Sequence, residues 1–416
     1  MKSIIFSAFL IFLFSCQQKA NKIYQWRGEN REGIYPGNNL LKEWPEEGPM
    51  ELWSIDSLGR GYGSPVFTED HFYVCGEVDG MAILYCFTLN GTKVWQTKLG
   101  KEWVTSFPGA RSTPTIVDNL VYIGSGLGDL YCVDKRDGSI IWSKDCKNDF
   151  EGIDPLHGHS ESPVVHQNKV FWNPGGKFNN VVALDRFTGD LIWSNPGFEE
   201  RSAYNQGQLI ELPDRDIYVT FSAYYLMGFD TETGEMLWSQ EQLNIAPERR
   251  VPGNSDGHMN SVLYENGFIY YSTVAGKGAV CLSLSEDGTQ IEERWINEGF
   301  LGFMGGTVKL DDYIYGSSYV CSCLKSIEAT TGIIKDSLNL GRGALIAADN
   351  LLFYYTNRGE MKLVHTDNGN LKEVSTFKVT KGTSEHFSHP VIHNGVLYLR
   401  RGQNLMAYNL QDRTVG

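Results

Sequence analysis

An aspartate standing eight residues before a tryptophan, with a glycine midway between them, recurs along the chain as Asp134–Trp142 (DKRDGSIIW), Asp185–Trp193 (DRFTGDLIW) and Asp230–Trp238 (DTETGEMLW). Phe87–Trp95 and Ser283–Trp295 are variants, and copies beginning at Ala329 and His365 keep the turn without the tryptophan. A fixed internal period constrains a chain more than composition does, because each unit must bury its apolar face against its neighbours.

Each unit reads as two short strands joined by a tight turn, in which glycine supplies positive φ and the aspartate side chain can cap the turn. Ahead of it lies a second strand pair, as in SPVVHQNKVFW followed by NVVALD, so one copy holds four strands in about 40 to 50 residues, the size of a propeller blade. Inner strands begin at Gly63, Ser112, Glu161, Gln206, Met259, Gly305, Ala344 and Ser388, eight starts in all. The last copy lacks an outer strand, while Glu51–Ile55 (ELWSI) is an outer strand without inner partners. Pairing the two closes the ring and removes exposed sheet edges. The expectation is therefore an all-β, eight-bladed β-propeller of four-stranded antiparallel blades over residues 50–416, closed by its N-terminal strand. A seven-bladed ring with one divergent copy is the alternative. Residues 16–49 are expected to form an extended arm lying on the ring.

The chain begins with one lysine, an apolar run from Ile4 to Phe14, and Ser15-Cys16, which is the layout of a secretory signal over residues 1–15. LFSC resembles a bacterial lipobox, which implies cleavage before Cys16, lipidation of its thiol, and anchoring to the cell envelope by that lipid alone. A signal cleaved elsewhere, leaving a soluble periplasmic protein, is the alternative. The net charge of -14 speaks against nucleic acid or an anionic membrane surface as a partner. Seven cysteines remain after Cys16, and buried core filler is the expectation for all of them, Cys321 and Cys323 included.

Residues just before each inner strand should ring one mouth of the central channel. Those positions hold Arg60, Tyr62, Arg111, His157, His159, Glu161, Arg201, Tyr204, Asp256, His258, Phe303, Met304, Arg342, Glu385, His386 and His389. Five of the nine histidines fall there. Such a rim suits a planar, anionic or hydroxylated ligand, with forked arginine donors for carboxylates and tyrosine rings to flank a flat molecule. His157 and His159, two apart, would leave an extended strand on one face, and His258, His386 or His389 could complete a metal site across the mouth. A plainly polar, wet channel mouth is the other reading.

The Asp-x-x-[Thr/Asp]-Gly-x-x-x-Trp unit resembles the repeat of the pyrroloquinoline quinone (PQQ) propellers, a family that includes quinoprotein alcohol dehydrogenases and the lipoprotein propeller of the outer-membrane protein assembly machine. The resemblance covers residues 50–416 and implies that Trp53, Trp95, Trp142, Trp193, Trp238 and Trp295 dock between blades. It further implies PQQ as cofactor, with calcium as Lewis acid, and oxidation of alcohol or sugar hydroxyls outside the cytoplasm, in support of polysaccharide breakdown. Cofactor-binding candidates on that reading are Arg60, Arg111, His157, His159, Arg201, Tyr204, His258, Arg342, His386 and His389. Glu161 and Asp256 are the carboxylates available for catalysis. The enzymes' adjacent Cys-Cys pair is absent, and Cys321-Ser-Cys323 is no equivalent. The competing implication is a non-catalytic scaffold that binds an envelope protein and holds no cofactor.

Overall fold

The computed structural model describes residues 22–411, apart from 243, 244, 254 and 255, and of Phe303 only the backbone. Cys16 and the apolar leader lie outside the described residues. Eight antiparallel sheets follow one another around a ring, and each is ordered from an inner to an outer strand. Blade 1 comprises Val66–Phe67, His71–Val78, Met81–Thr88 and Lys93–Lys101. Blades 2 to 7 repeat that order, and blade 8 takes Val391–His393, Val396–Arg401 and Asn404–Asn409 from the C-terminal end. Its outer strand is Glu51–Ile55, which pairs antiparallel with Asn404–Asn409 through Trp53↔Ala407 and Ser54↔Met406. The expected closure is thus the observed one, and it builds blade 8 from strands at both ends of the chain.

The repeat has a mechanical explanation that spans two blades. The aspartate carboxylate caps its own turn: Asp185 Oδ1 accepts from the amides of Phe187 and Thr188 at 2.8 and 3.0 Å, and Asp230 Oδ1 accepts from Glu232 and Thr233 at 2.9 Å each. The tryptophan reaches the following blade, where its indole N–H donates to the carbonyl just after that blade's capping residue. The distances are 3.1 Å for Trp95 to Lys135, 3.1 Å for Trp142 to Arg186, 3.0 Å for Trp193 to Thr231 and 2.9 Å for Trp295 to Ala329. The turn glycine of that following blade lies flat against the same indole. A Cβ on Gly189 would stand 2.8 Å from Trp142, and one on Gly234 would stand 2.5 Å from Trp193. Trp238 lacks the indole hydrogen bond because the next turn, around Gly288, is longer and faces Leu212 and Ile217 instead.

The N-terminal arm departs from expectation in its first part: residues 23–33 enter the channel, and residues 34–49 then lie across the ring. Ile23–Tyr24 adds a fifth strand to the channel side of blade 2, pairing with Ile116 and Val117. Arg27, 2% exposed, donates to the carbonyls of Leu345 at 2.8 Å, Thr307 at 2.5 Å and Glu32 at 2.9 Å, binding blades 6 and 7. Arg31, equally buried, donates to Pro163 at 2.5 Å and to Ser162 and Gly207 at 3.3 Å, binding blades 3 and 4. The arm then crosses blades 7 and 8, where Tyr35 pairs with Ala347 and the Trp44 indole donates to Met361. Inner strands end in unpaired backbone groups at the channel wall, and buried carbonyls need partners. Two guanidiniums with forked donors supply several at once, a role that compact ammonium groups cannot fill.

Candidate functional site

Every inner strand runs the same way, so the segments that lead into them from the preceding outer strands gather at one end of the channel. They enclose a cavity of about 310 Å³. Trp26 and His389 form its floor, their rings 5.2 Å apart and edge to face. Tyr62, Phe107, His157, Tyr204 and Phe387 supply aromatic walls, and Met259 and Met304 fill between them. Of the arginines expected at the mouth, Arg111 alone lines this cavity.

The other rim charges are used up within the fold. Arg60 is ion-paired with buried Glu77. Arg201 donates Nε to Asp256 Oδ2 at 2.8 Å, and that buried carboxylate also accepts from the Gly253 amide. The Arg342 guanidinium lies 4.1 Å from the centre of the Tyr319 ring. Arg111 itself spends one terminal nitrogen on the His157 carbonyl and the other on those of Ser106 and Phe107, both at 2.6 Å. Burial pulls its pKa down, against the pull of Glu102.

The histidines divide in the same way. His157 faces the cavity, with Nδ1 3.0 Å from Ser106 Oγ, and burial beside Arg111 keeps it neutral by lowering its pKa. His159 turns into the protein, 3.9 Å from Cys146 Sγ and 3.7 Å from Asp154, and burial lowers its pKa too. The expected shared face fails because residues 154–163 form an irregular loop, in which strand alternation does not apply. His258 stacks on Phe221 at 4.9 Å and is held neutral by burial, with a pKa near 4. His386 Nδ1 meets the Tyr355 hydroxyl at 2.5 Å. His389 Nδ1 lies 3.3 Å from Arg27, and burial next to that cation drives its pKa down to about 3. The rim histidines therefore sit in separate environments. Among the described residues, the group of three side chains within metal-binding reach is His166, Glu211 and Asp216, at the far end of the inner strands. There Glu211 and Asp216 face opposite ring nitrogens, at 3.7 and 2.7 Å.

Glu161 lies beneath the mouth and does not line the cavity. It accepts from the Tyr218 hydroxyl at 2.7 Å and from Asn173 Nδ2 at 3.0 Å. Burial raises its pKa from 4.5 to about 7, outweighing the opposing effects of the Tyr218 hydrogen bond and of Arg31. A raised folded-state pKa means stability that is complete below the unfolded pKa and lost as pH rises through the folded one. Glu161→Gln mimics the protonated acid. We predict equal stability of variant and wild type below pH 4.5, and a variant more stable by about 3 kcal/mol at and above pH 7. Parallel melting-temperature profiles from pH 4 to pH 8 would disprove this assignment.

The cavity does not fit PQQ with its calcium. Three carboxylates would meet one guanidinium, three of whose four terminal N–H groups are already donated to carbonyls, and among the described residues no aspartate or glutamate lines the space to hold a metal or take a proton. Of the residues expected at this mouth, Tyr62, Arg111, His157, Tyr204, Met304 and His389 line the cavity, four of them cofactor-binding candidates. Sequence reasoning missed Trp26, Phe107 and Phe387. Phe387, in EHFSHP, carried a signal, since an apolar residue just before an inner strand can only face the mouth or the blade seam. Trp26 carried none, because its place depends on where the arm goes.

A family model described as outer membrane protein assembly factor BamB matches residues 80–336 of the chain. The quinohemoprotein alcohol dehydrogenase of Comamonas testosteroni is 26% identical over 160 residues, which cover 34% of this chain and 21% of that one. Assembly factor BamB of Legionella pneumophila (strain Paris) is 26% identical over 136 residues, covering 32% of this chain and 33% of that one. The chain thus spans a third or less of these relatives' length. The crystal structure of BamB from Moraxella catarrhalis shares the fold with a TM-score of 0.62 and 14% identity, over 88% of this chain and 98% of that one.

Proposed function

The chain belongs to the PQQ-repeat propeller family whose model is described as outer membrane protein assembly factor BamB, and from that membership we propose a non-catalytic propeller of the cell envelope that holds a protein partner at its mouth. The character of the mouth carries this reading. Its charges are spent on one another or on backbone carbonyls, while the cavity walls are aromatic and methionine side chains. Around the opening, Val104, Phe107, Ile153 and Leu156 stand 42 to 47% exposed. Exposed apolar side chains gathered at one end of a fold mark interaction sites, and a pocket that seats one buried anchor side chain is the usual centre of such a site. Methionines let that pocket adapt to its guest. Small-molecule and carbohydrate substrates fit the lining less well, since its Ser64, Thr113, Ser160 and Gln206 side chains are hydrogen-bonded to the protein itself. The anchor would be a lipid on Cys16.

The quinoprotein reading retains one supporting feature, Arg111 beside the flat rings of Tyr62 and Tyr204. Calorimetry of the purified chain with PQQ and calcium separates the two. We expect no saturable heat and no dye-linked oxidation of alcohols or sugars; saturable PQQ binding that Arg111→Ala abolishes would establish the quinoprotein instead. In cells, a photo-crosslinking residue in place of Leu156 is expected to join the chain to a defined envelope protein. The same residue in place of Ile333, exposed at the opposite end of blade 6, is not. Equal crosslinking from both positions, or release of neither wild type nor Cys16→Ser from the membrane fraction, would count against the mouth and the anchor respectively.

A further inference from the structure

Cys321 and Cys323 are joined by a disulfide across one intervening residue, with Cα atoms 5.2 Å apart. This corrects the expectation of core filler for those two, while Cys75, Cys86, Cys132, Cys146 and Cys281 are free and buried. The bridge sits in the turn between the second and third strands of blade 6, Tyr313–Ser318 and Cys323–Glu328. That turn lies at the same end of the ring as the mouth, because the second strand runs back toward it.

Three features set this bridge apart from a structural staple. It closes a ring of three residues, so it removes little freedom from the unfolded chain, and stabilisation by a disulfide grows with loop length. Its turn is held without it: the Tyr319 amide donates to Leu301 at 2.7 Å, and the Ser322 carbonyl accepts from Gly341 at 2.9 Å. Its sulfurs are also unequal. Cys321 is exposed, whereas Cys323 is fully buried and its Sγ lies 3.3 Å from the donating hydroxyl of Ser337. Beside Cys321 stand Val320, 68% exposed, and Tyr319, 42% exposed, with the Arg342 guanidinium against the Tyr319 ring. Ser322, between the cysteines, holds a left-handed backbone at φ 51°, which non-glycine residues seldom adopt. Exposed bridges of low stabilising value are the ones that exchange.

We propose that Cys321–Cys323 is a thiol–disulfide exchange centre whose substrate is a dithiol in an exposed polypeptide segment. The substrate thiolate attacks Cys321 Sγ. A substrate–Cys321 bond forms as the Cys321–Cys323 bond breaks, and the electron pair leaves on Cys323 Sγ, toward which Ser337 Oγ donates. The second substrate thiol, after losing its proton to solvent, attacks the mixed disulfide and expels Cys321 as thiolate. The two new thiolates take up the two protons that the substrate released. The substrate is thereby oxidised by two electrons and the Cys321/Cys323 pair reduced; a small-molecule disulfide in the surroundings reverses the same steps and recharges it. The centre depends on the exported location proposed above for its oxidised resting state, but the chemistry itself is testable on the purified chain.

The test is native exposure of the oxidised full chain to reduced glutathione, quenching with an alkylating reagent, and measurement of mass. Two labels on the Cys321/Cys323 peptide and none on the five buried cysteines are expected. With oxidised glutathione in place of reduced, Cys323→Ser is expected to take up glutathione as a mixed disulfide on Cys321, releasing one reduced glutathione, and Cys321→Ser to take up none on buried Cys323. A dithiol peptide should be oxidised at least about tenfold faster by the wild type than by the doubly substituted chain. A bridge that glutathione reduces only after unfolding, or a peptide oxidised equally by both proteins, would overturn the proposal, and the first measurement requires no variant to fold.

Discussion

Gly189→Ala is expected to destabilise the ring by about 2 to 5 kcal/mol, a large effect for one methyl group. The glycine holds φ +75°, so alanine carries the left-handed penalty, and its Cβ would stand 2.8 Å from Trp142 Cδ2 in the preceding blade. Trp142→Ala alone should cost about 3 to 5 kcal/mol, since it empties a seam site and leaves the Arg186 carbonyl without the indole donor. The informative measurement is the double-mutant cycle. Removing the indole relieves the clash but not the backbone penalty, so the pair should cost about 1 to 2 kcal/mol less than the sum of the single changes. Strict additivity in chemical denaturation would show that glycine and tryptophan do not act on each other across the seam. The same pairing recurs at Trp95 with Gly138, Trp193 with Gly234 and Trp295 with Gly332, so any of these seams can serve as the control.

Arg27→Ala is expected to release the arm from the channel and to lower stability by about 2 to 4 kcal/mol. Its guanidinium answers the carbonyls of Leu345, Thr307 and Glu32, and burial pulls its pKa down to about 10. Among the described residues no carboxylate lies within hydrogen-bonding distance of it; the charge is satisfied by carbonyl dipoles. Arg27→Lys should restore little, because a compact ammonium cannot present the same fork. Limited proteolysis gives the readout: faster cleavage between residues 22 and 49 in both variants, with the blades still intact. Full rescue by lysine would mean that charge, and not geometry, holds the arm. Because Trp26 adjoins Arg27 and forms the cavity floor, the same variants should alter the mouth and weaken partner crosslinking from position 156.

Much of the architecture was legible, and the reason lies in particular residues. DRFTGDLIW displays its turn because aspartate, glycine and tryptophan answer local demands: a cap for two amides, a positive φ, and a flat ring beside a position without a side chain. What the spacing did not reveal is that the glycine's contact belongs to the tryptophan of the previous copy, 47 residues earlier for Gly189 and Trp142. The rim was less legible. Arg60, Arg201, Arg342, His159, His258 and His386 all precede inner strands as expected, yet their partners Glu77, Asp256, Tyr319, Cys146, Phe221 and Tyr355 come from other strands and loops.

The sequence by itself determined the ring, its eight copies, its closing strand and the chemistry at each turn, because these follow from contacts repeated at a fixed period, and any copy predicts the next. Only the tertiary structure decided that WRGENREG plugs the channel, that Cys321 and Cys323 are bridged, and which four of the candidate binding residues face the cavity. Those outcomes depend on non-repeating partners brought together by closure of the ring. A charge is free for a ligand only where no neighbour in space has already taken it, and sequence spacing carries no record of that neighbour.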